Sequence, residues 1–401
     1  MNLVIIGGSG YFGRAAASFL AKEGTVSDIL IADRNAAAAR AFAKRLGPKA
    51  RGAGLDLQDA SDLDRGLEGA DMVVNAAGPY FATLMPVLEA AIRSSTPYVD
   101  FAEDLSAIEQ ALALDAKAKA AGITAIVGMG GAPGITNLLT LHALRRLDRV
   151  DRVQVGWAAD VEGLVGSLDK NLQDIRTRSQ VSGAIQSILH YASGRIKAYR
   201  DRRWVEIAAY GEAETVALAD GSDILAYPVG TAEPIMLLPY LPEVQSVSGL
   251  IALLPPQINE LLRRHAAPIA TGDRSAAEAA IAFFEALERD RARWLERPAG
   301  MTRGGKFAVV HGTKDGRRAR YSCASNWRCR ADDPEIERPD TGAVAALAAL
   351  KVMAGEVTRK GVMTPEACFE PIAFFRDLVA RWAGPRGSEP LLKERFDWLG
   401  E

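Results

Sequence analysis

Gly8, Gly10 and Gly13 stand at G-x-G-x-x-G spacing within the run Gly7-Gly8-Ser9-Gly10-Tyr11-Phe12-Gly13. Before them lies the short apolar run 3–6, the form of a parallel strand buried on both faces. After them, residues 14–22 put Ala15, Phe19 and Leu20 on one helical face. Between a strand and a helix, this spacing suits a diphosphate. Gly8 permits the tight turn, Gly10 lets the backbone approach a pyrophosphate, and Gly13 lets the helix close on the strand. The helix N-terminus then turns its N–H groups and positive dipole end toward the phosphates, with Ser9, Tyr11 and Phe12 in the same loop. A second strand over 28–32 ends at Asp33, about 20 residues beyond Gly13, where a carboxylate accepts hydrogen bonds from the adenosine ribose hydroxyls. The pattern predicts a dinucleotide, NAD or NADP. Asp33 tilts the choice to NAD by repelling a 2′-phosphate, while the guanidinium of Arg34 could pair that phosphate or stack on adenine.

Ligands in such sheets lie beyond the carboxyl ends of the strands, so the strand-end loops hold the remaining candidates. Asp56, in a third strand over 53–57, could reach the adenine edge. Ala76, Ala77, Gly78 and Pro79 follow a fourth, and such small residues let a nicotinamide lie against backbone. Hydride transfer leaves the protein to orient the cofactor and to move a proton. Asp100, at the end of a fifth strand, is the first candidate acid or base, since a partly desolvated carboxylate has a raised pKa. Glu103 and Tyr80 are the alternatives, and each also has a plain reading: Asp100 as a loop hydrogen-bonder or helix cap, Glu103 as a surface acid, Tyr80 as a loop anchor. Arg176 and Arg178 could hold a substrate carboxylate or be solvated. The run Arg195, Lys197, Arg200, Arg202 and Arg203 reads as an exposed strand or turn. His142, His190, His265 and His311 are scattered, and Cys323 and Cys329 lack zinc spacing, so no metal is expected. His142 reads as part of a packed helix, without function.

The elements that must position these residues alternate. Helices over 35–46 and 63–67 and strands over 53–57, 71–77, 97–100 and 123–127 imply right-handed crossovers and a parallel sheet. Beyond Asn137 the pattern changes. A helix over 138–147 comes first. Val153, Val155 and Trp157 alternate as a strand, as do Val205, Ile207 and Ala209, while Val181, Ile185, Ile188 and Leu189 share a helix face. Asp315-Gly316 signals a tight hairpin. The prolines Pro228, Pro234, Pro239, Pro242, Pro255 and Pro256 suggest an irregular surface segment, and Thr341 could cap a helix ending at Gly355. The expected fold is α/β: a Rossmann-type doubly wound parallel sheet (1–135), an α+β substrate and dimerisation domain with an antiparallel sheet (136–340), and C-terminal helices (341–401) packing back on the first domain. At 401 residues the chain is too long for one ordinary core. With 48 Lys+Arg against 50 Asp+Glu, nothing favours a nucleic-acid or anionic-membrane partner. Three cysteines, no long apolar run and no basic leader at the N-terminus predict a soluble cytoplasmic protein.

Gly8–Gly13, Val74-Asn75-Ala76-Ala77-Gly78-Pro79-Tyr80, Tyr98-Val99-Asp100-Phe101-Ala102-Glu103 and Gly128-Met129-Gly130-Gly131-Ala132-Pro133-Gly134-Ile135-Thr136-Asn137 together resemble the saccharopine dehydrogenase-like family. Lys360-Gly361-Val362-Met363-Thr364-Pro365-Glu366 is similar to the tail of its lysine 6-dehydrogenase branch, which stands beside saccharopine reductases and carboxynorspermidine dehydrogenases. The likeness is close over roughly the first 140 residues and again over 341–380. It implies an NAD(P)-dependent oxidoreductase acting on a C–N bond of an amino-acid- or polyamine-derived small molecule, with Tyr80, Asp100 and Glu103 at the cofactor cleft and a homodimer built on the middle-domain sheet. The alternatives are a reductase of C=C or C=O bonds in a lipid-like or secondary-metabolite substrate, and a dinucleotide-binding protein without turnover. Gly7, Gly10 and Gly13 also fit the phosphate loop of short-chain dehydrogenases, but no tyrosine here has the lysine at i+4 that those enzymes use.

Overall fold

In the computed structural model, residues 1–165, 168–177, 181–295, 304–329, 340–383 and 390–400 are described. The chain divides into two compact units, Met1–Ile135 with Trp327–Glu389, and Thr136–Asn326 with Pro390–Glu401.

The first unit opens with β1 (Asn2–Ile6), α1 (Tyr11–Leu20), β2 (Asp28–Asp33), α2 (Ala36–Leu46), β3 (Ala50–Gly54) and α3 (Ala60–Leu67). It continues with β4 (Met72–Asn75), α4 (Tyr80–Arg93), β5 (Tyr98–Asp100), α5 (Leu105–Leu112), α6 (Asp115–Ala120) and β6 (Thr124–Ile126). Polar residues start these helices as capping chemistry requires: Asn35, Asp59 and Asp104 each accept a first-turn backbone N–H. Helix α1 has no side-chain cap at Gly10, and α4 and α6 lack one as well. The first turn of α1 is left for something else to satisfy. The expected third strand, 53–57, lies three residues early. Ala-Arg-Gly-Ala-Gly has no strand pattern of its own, and β3 is set by its parallel register with β2, Ile29 opposite Ala50 through Asp33 opposite Gly54.

In the second unit α7 (Ile135–Leu144) leads into β7 (Arg149–Asp160), followed by the helices α8 (Val161–Val165), α9 (Leu168–Arg176) and α10 (Gly183–Tyr191). Strands β8 (Arg195–Arg200), β9 (Arg203–Ala208), β10 (Glu214–Ala217) and β11 (Asp223–Pro228) come next, then α11 (Glu233–Leu237), β12 (Ser246–Leu254), α12 (Gln257–Ala270), α13 (Ala276–Arg289) and α14 (Arg291–Leu295). The hairpin β13 (Gly304–Lys314) and β14 (Arg317–Ser325) turns through Asp315 (φ 50°) and Gly316 (φ 72°), the left-handed pair that a tight primed turn needs. The remaining elements are α15 (Asp340–Met353), β15 (Gly361–Met363), α16 (Pro371–Trp382) and β16 (Leu392–Trp398).

The first sheet runs β15-β6-β5-β4-β1-β2-β3, with every pairing parallel. This is the doubly wound order 3-2-1-4-5-6 with one strand added. The second sheet runs β10-β11-β12-β7-β13-β14-β16, and the β8–β9 hairpin branches from β12. It is mixed, not wholly antiparallel as expected. Strands β7 and β12 run parallel over their length, which the long excursion through four helices and four strands between them allows. A core of α10, α12 and α13 residues, including Ile185, Leu262, Phe283 and Phe284, packs with Ile251 and Leu253 of β12.

Three other expectations are corrected. The proline cluster is not wholly an irregular wrap, because three of its members sit where proline fits regular structure: Pro228 ends β11, Pro234 lies in the first turn of α11, and Pro256 precedes α12. Nor is 341–401 simply helical. Met363 and its neighbours extend the parallel sheet as β15, and β16 joins the second unit against β14. A three-residue buried strand is too short to show a period, and four charges in β16 mask its alternation. Helix α15 starts at Asp340, so Thr341 lies inside its first turn.

Candidate functional site

The glycine loop is built at the carboxyl end of β1. The Gly7 and Gly8 N–H groups both donate to the Ala32 carbonyl (2.8 and 3.3 Å), binding the loop to the end of β2. Gly7, not Gly8, makes the turn. Its φ is +71°, and a Cβ there would lie 2.6 Å from the Ala77 backbone. Gly13 has the expected role, since a Cβ would strike the Gly7 carbonyl oxygen and the Gly8 Cα. At Gly10 (φ −73°, ψ 171°) a Cβ would meet only the Gly7 oxygen, at 3.1 Å. Those angles are open to any residue, but the approach to the Gly7 oxygen is tighter than an ordinary van der Waals contact. The uncapped first turn of α1 above this cradle fits a pyrophosphate.

Ser9 Oγ donates to Asp33 Oδ2 at 2.6 Å, and the Asn35 N–H donates to Oδ1 at 3.1 Å. The carboxylate is thereby fixed at the end of β2, while Arg34 beside it is exposed. Asp56 lies exposed past β3, where it accepts the Gln58 N–H.

Three buried side chains tie the strand ends together. Asn75 Nδ2 donates to the Tyr98 hydroxyl (3.2 Å), which donates to Asp100 Oδ2 (2.7 Å). Asp100 Oδ1 accepts the N–H groups of Ala102 (2.9 Å) and Gly128 (2.7 Å), and its carbonyl accepts that of Met129 (2.7 Å). Asp100 is fully buried, and desolvation pushes its pKa up to about 6 despite these donors. A raised carboxylate beside a cleft reads as a general base. Here both oxygens are engaged, Oδ1 joining the ends of β5 and β6 and Oδ2 holding Tyr98, so the geometry assigns it the loop-fixing role. Asn75 and Tyr98, which complete the relay, were legible only as parts of strands.

The loop after β4 is held as firmly. Ala76 N–H donates to the Ile6 carbonyl (2.7 Å), Ala77 N–H to Asn75 Oδ1 (3.1 Å), and Thr83 Oγ1 to the carbonyls of Ala77 and Pro79. Gly78 is exposed on this loop, and Pro79 precedes α4. Buried Tyr80 donates to the Asn75 carbonyl at 3.3 Å. Desolvation, then the charges of Glu103 and Asp100, hold its phenol well above the usual range. Glu103 itself is half-buried, one residue before the Asp104 cap of α5. A chain of ring contacts runs Tyr11–Phe12 (5.1 Å), Phe12–Phe101 (5.8 Å) and Phe101–Tyr80 (5.8 Å), giving this edge an aromatic lining.

In the second unit, Arg176 is exposed at the end of α9, and Arg178 lies outside the described residues. The basic run forms the β8–β9 hairpin with its turn at Asp201 and Arg202. His142 does pack on its helix, but with polar company: its Nε2 is 2.8 Å from Glu394 Oε1, beside Arg146 and the Tyr321 hydroxyl. A buried Glu233 accepts from Thr136 Oγ1 at 3.1 Å, and desolvation raises its pKa. Its place among apolar neighbours gave no sequence signal. Among the described residues no group of three or more His, Cys, Asp or Glu could hold a metal, and no helix is long and apolar enough to cross a membrane.

A doubly wound sheet with a glycine cradle, an uncapped helix and an acid at the second strand end defines a dinucleotide-binding domain. Residues 3–126 match the family model described as Saccharopine dehydrogenase NADP binding domain. The whole chain has the fold of apo saccharopine dehydrogenase (L-Glu forming) from Saccharomyces cerevisiae, with TM-score 0.66, 17% identity and 99% of each chain covered. The trans-acting enoyl reductases of Mycobacterium tuberculosis and Mycobacterium bovis are 31% identical to it over 107 residues. That match spans 26% of this chain and 26% of theirs.

Proposed function

We propose that this protein is an NAD(P)-dependent oxidoreductase that transfers hydride at the C–N bond of an amino-acid- or polyamine-derived substrate. The observation that carries the reading is the cradle of Gly7, Gly10 and Gly13 under the uncapped α1, with Asp33 held by Ser9 at the next strand end. The fold shared along the whole chain with a saccharopine dehydrogenase supports the C–N substrate. A bound nicotinamide would supply the hydride chemistry. The chain's own part is to seat the dinucleotide on the α1 amides, to keep the strand-end loops rigid through Asp100, and to accept the amine proton.

Of the three acid–base candidates, Glu103 suits that last task best. Asp100 has no exposed oxygen, and the Tyr80 phenol keeps its proton. Half-buried Glu103 lies close enough to Tyr80 for its charge to be felt there. Reduction of a C=C bond is the second reading, favoured by the aromatic lining and by the enoyl reductases that share the N-terminal segment.

Calorimetry with NAD(H) and NADP(H) tests the cofactor directly, and binding of neither removes the proposal. Nicotinamide absorbance should change with a panel of amino acids and polyamines, and not with enoyl or keto thioesters; the reverse would select the second reading. With the active substrate, Glu103→Gln should lower turnover about 10²–10⁴-fold at unchanged dinucleotide affinity.

A further inference from the structure

On one face of the second sheet a row of polar side chains crosses four strands. Arg152 of β7 stands opposite His311 of β13, His311 opposite Arg320 of β14, and Arg320 opposite Asp397 of β16. Cross-strand partners share a face, so the four side chains lie beside one another. Arg318, two residues before Arg320, shares that face. In the next row, Gln154 Nε2 donates to the Thr215 carbonyl (3.2 Å) and Ser322 Oγ to that of Ala217 (2.8 Å), while Val309 packs with Val216 between them. Strand β10 therefore lies across this next row, and the first row runs beside it as a shelf with β10 for a rim. Arg318 is exposed there, and Arg152, His311 and Arg320 are half-buried.

The charges on the shelf do not balance. Glu214 of β10 accepts from Arg152 (2.8 Å), Gln154 (2.9 Å) and Ser248 (2.8 Å), and Arg200 lies 3.7 Å from it. Asp397 accepts from Arg320 (2.7 Å) and Arg395 (2.8 Å). The guanidiniums of Arg152, Arg200, Arg318, Arg320 and Arg395 thus share the carboxylates of Glu214 and Asp397. Among the described residues Arg318 has no partner, and Nη1 of Arg152 and of Arg320 has none either. His311 stands in the middle. The Gln154 amide is oriented by its donations to Glu214 and Thr215, so its oxygen faces His311 Nε2 at 3.2 Å. The neutral ring therefore carries its proton on Nε2, which leaves Nδ1 without a partner among the described residues. Burial, then the charges of Arg152, Arg320 and Arg318, push the imidazole down to about 4 against the pull of Glu214.

We propose that this shelf binds a doubly charged tetrahedral oxyanion, a phosphate or sulfate group seated over His311 among Arg152, Arg318 and Arg320. Guanidinium forks match such oxygens in shape and charge, and the open N–H groups are on the three arginines that crowd the ring. With the anion in place, His311 takes up a proton and Nδ1 donates to it, so that anion and proton bind together. The site belongs to the second unit and shares no residue with the dinucleotide cradle.

Sulfate, whose charge is constant across the range, is the first probe. The His311 ring signal is followed by NMR, assigned by its loss in His311→Gln, at an ionic strength held constant with chloride. Sulfate should raise the titration midpoint of His311 by about one pH unit or more. A signal local to His311 is blind to sulfate held in the α1 cradle. Inorganic phosphate and glycerol 3-phosphate should act in the same way, and the tighter of the two tells whether the anion is bound free or as an ester. Arg318→Ala removes an exposed side chain and should weaken sulfate about tenfold, the loss of one charge-assisted hydrogen bond. Arg317→Ala, on the opposite face over the Trp398 ring, should leave sulfate binding unchanged. The proposal is overturned if sulfate leaves the His311 midpoint where it was. It is overturned equally if both arginine variants weaken sulfate alike, since a diffuse basic field and no site would then explain the effect.

Discussion

Asp100 shows how a residue's surroundings override its type. Its pKa, raised to about 6 from 3.8 by burial, means that the folded protein holds a proton that the unfolded chain has released. The stabilisation is complete below the unfolded value and is lost as the pH rises through about 6. Asp100→Asn cannot reproduce the site, because its amide would meet the Tyr98 hydroxyl already receiving Asn75 Nδ2. We expect a loss of about 1–3 kcal/mol, the cost of unsatisfied buried polar groups. The gap in thermal midpoint between wild type and variant should be wider at pH 4 than at pH 7. A gap that does not change with pH would mean Asp100 titrates normally. A general base would instead show lost turnover with unaltered melting.

Among the elements, α15 does what no local pattern announces: it packs on α1, the helix that carries the phosphate cradle. Gly342 makes the approach possible, since a Cβ there would lie 2.6 Å from Ala15 Cβ, 2.6 Å from the Ala16 nitrogen and 2.8 Å from the Phe12 oxygen. Gly342→Val should push α15 off α1 and cost about 1–3 kcal/mol by overpacking. The displaced α1 should also bind dinucleotide more weakly. Thermal unfolding and calorimetry would check both, and an unaltered midpoint would show that the helices can separate freely.

At the scale of the molecule, the chain passes between its two units at 135–136, 326–327 and 389–390, so each is assembled from distant segments. Dinucleotide binding to the first should raise its stability by RT ln(1 + [L]/Kd), about 2.7 kcal/mol at a hundredfold excess over Kd. Scanning calorimetry should show a higher midpoint with the preferred dinucleotide. Gly10→Val should melt like the wild type alone and lose the shift. A shift of equal size in the variant would place the ligand away from the cradle.

The dinucleotide domain was legible because its determinants are local. A turn under a helix needs glycine, strand ends need an acid or a cap, and buried strands need unbroken apolar runs. The same locality misled at Gly7 and Gly8, where two overlapping glycine spacings fit one loop and only the close approach of Ala77 selects Gly7 as the turn. The cradle, Asp33 and the strand-end loops thus came from sequence, and so did the hairpin at Asp315-Gly316. Burial and pairing between distant residues came only from the tertiary structure. It closed Asp100 off with Tyr98 and Gly128, made β7 and β12 parallel, and drew a charged C-terminal segment into the edge strand β16. Each depends on what a side chain or backbone group meets across the fold, and a single chain read in order carries no record of that meeting.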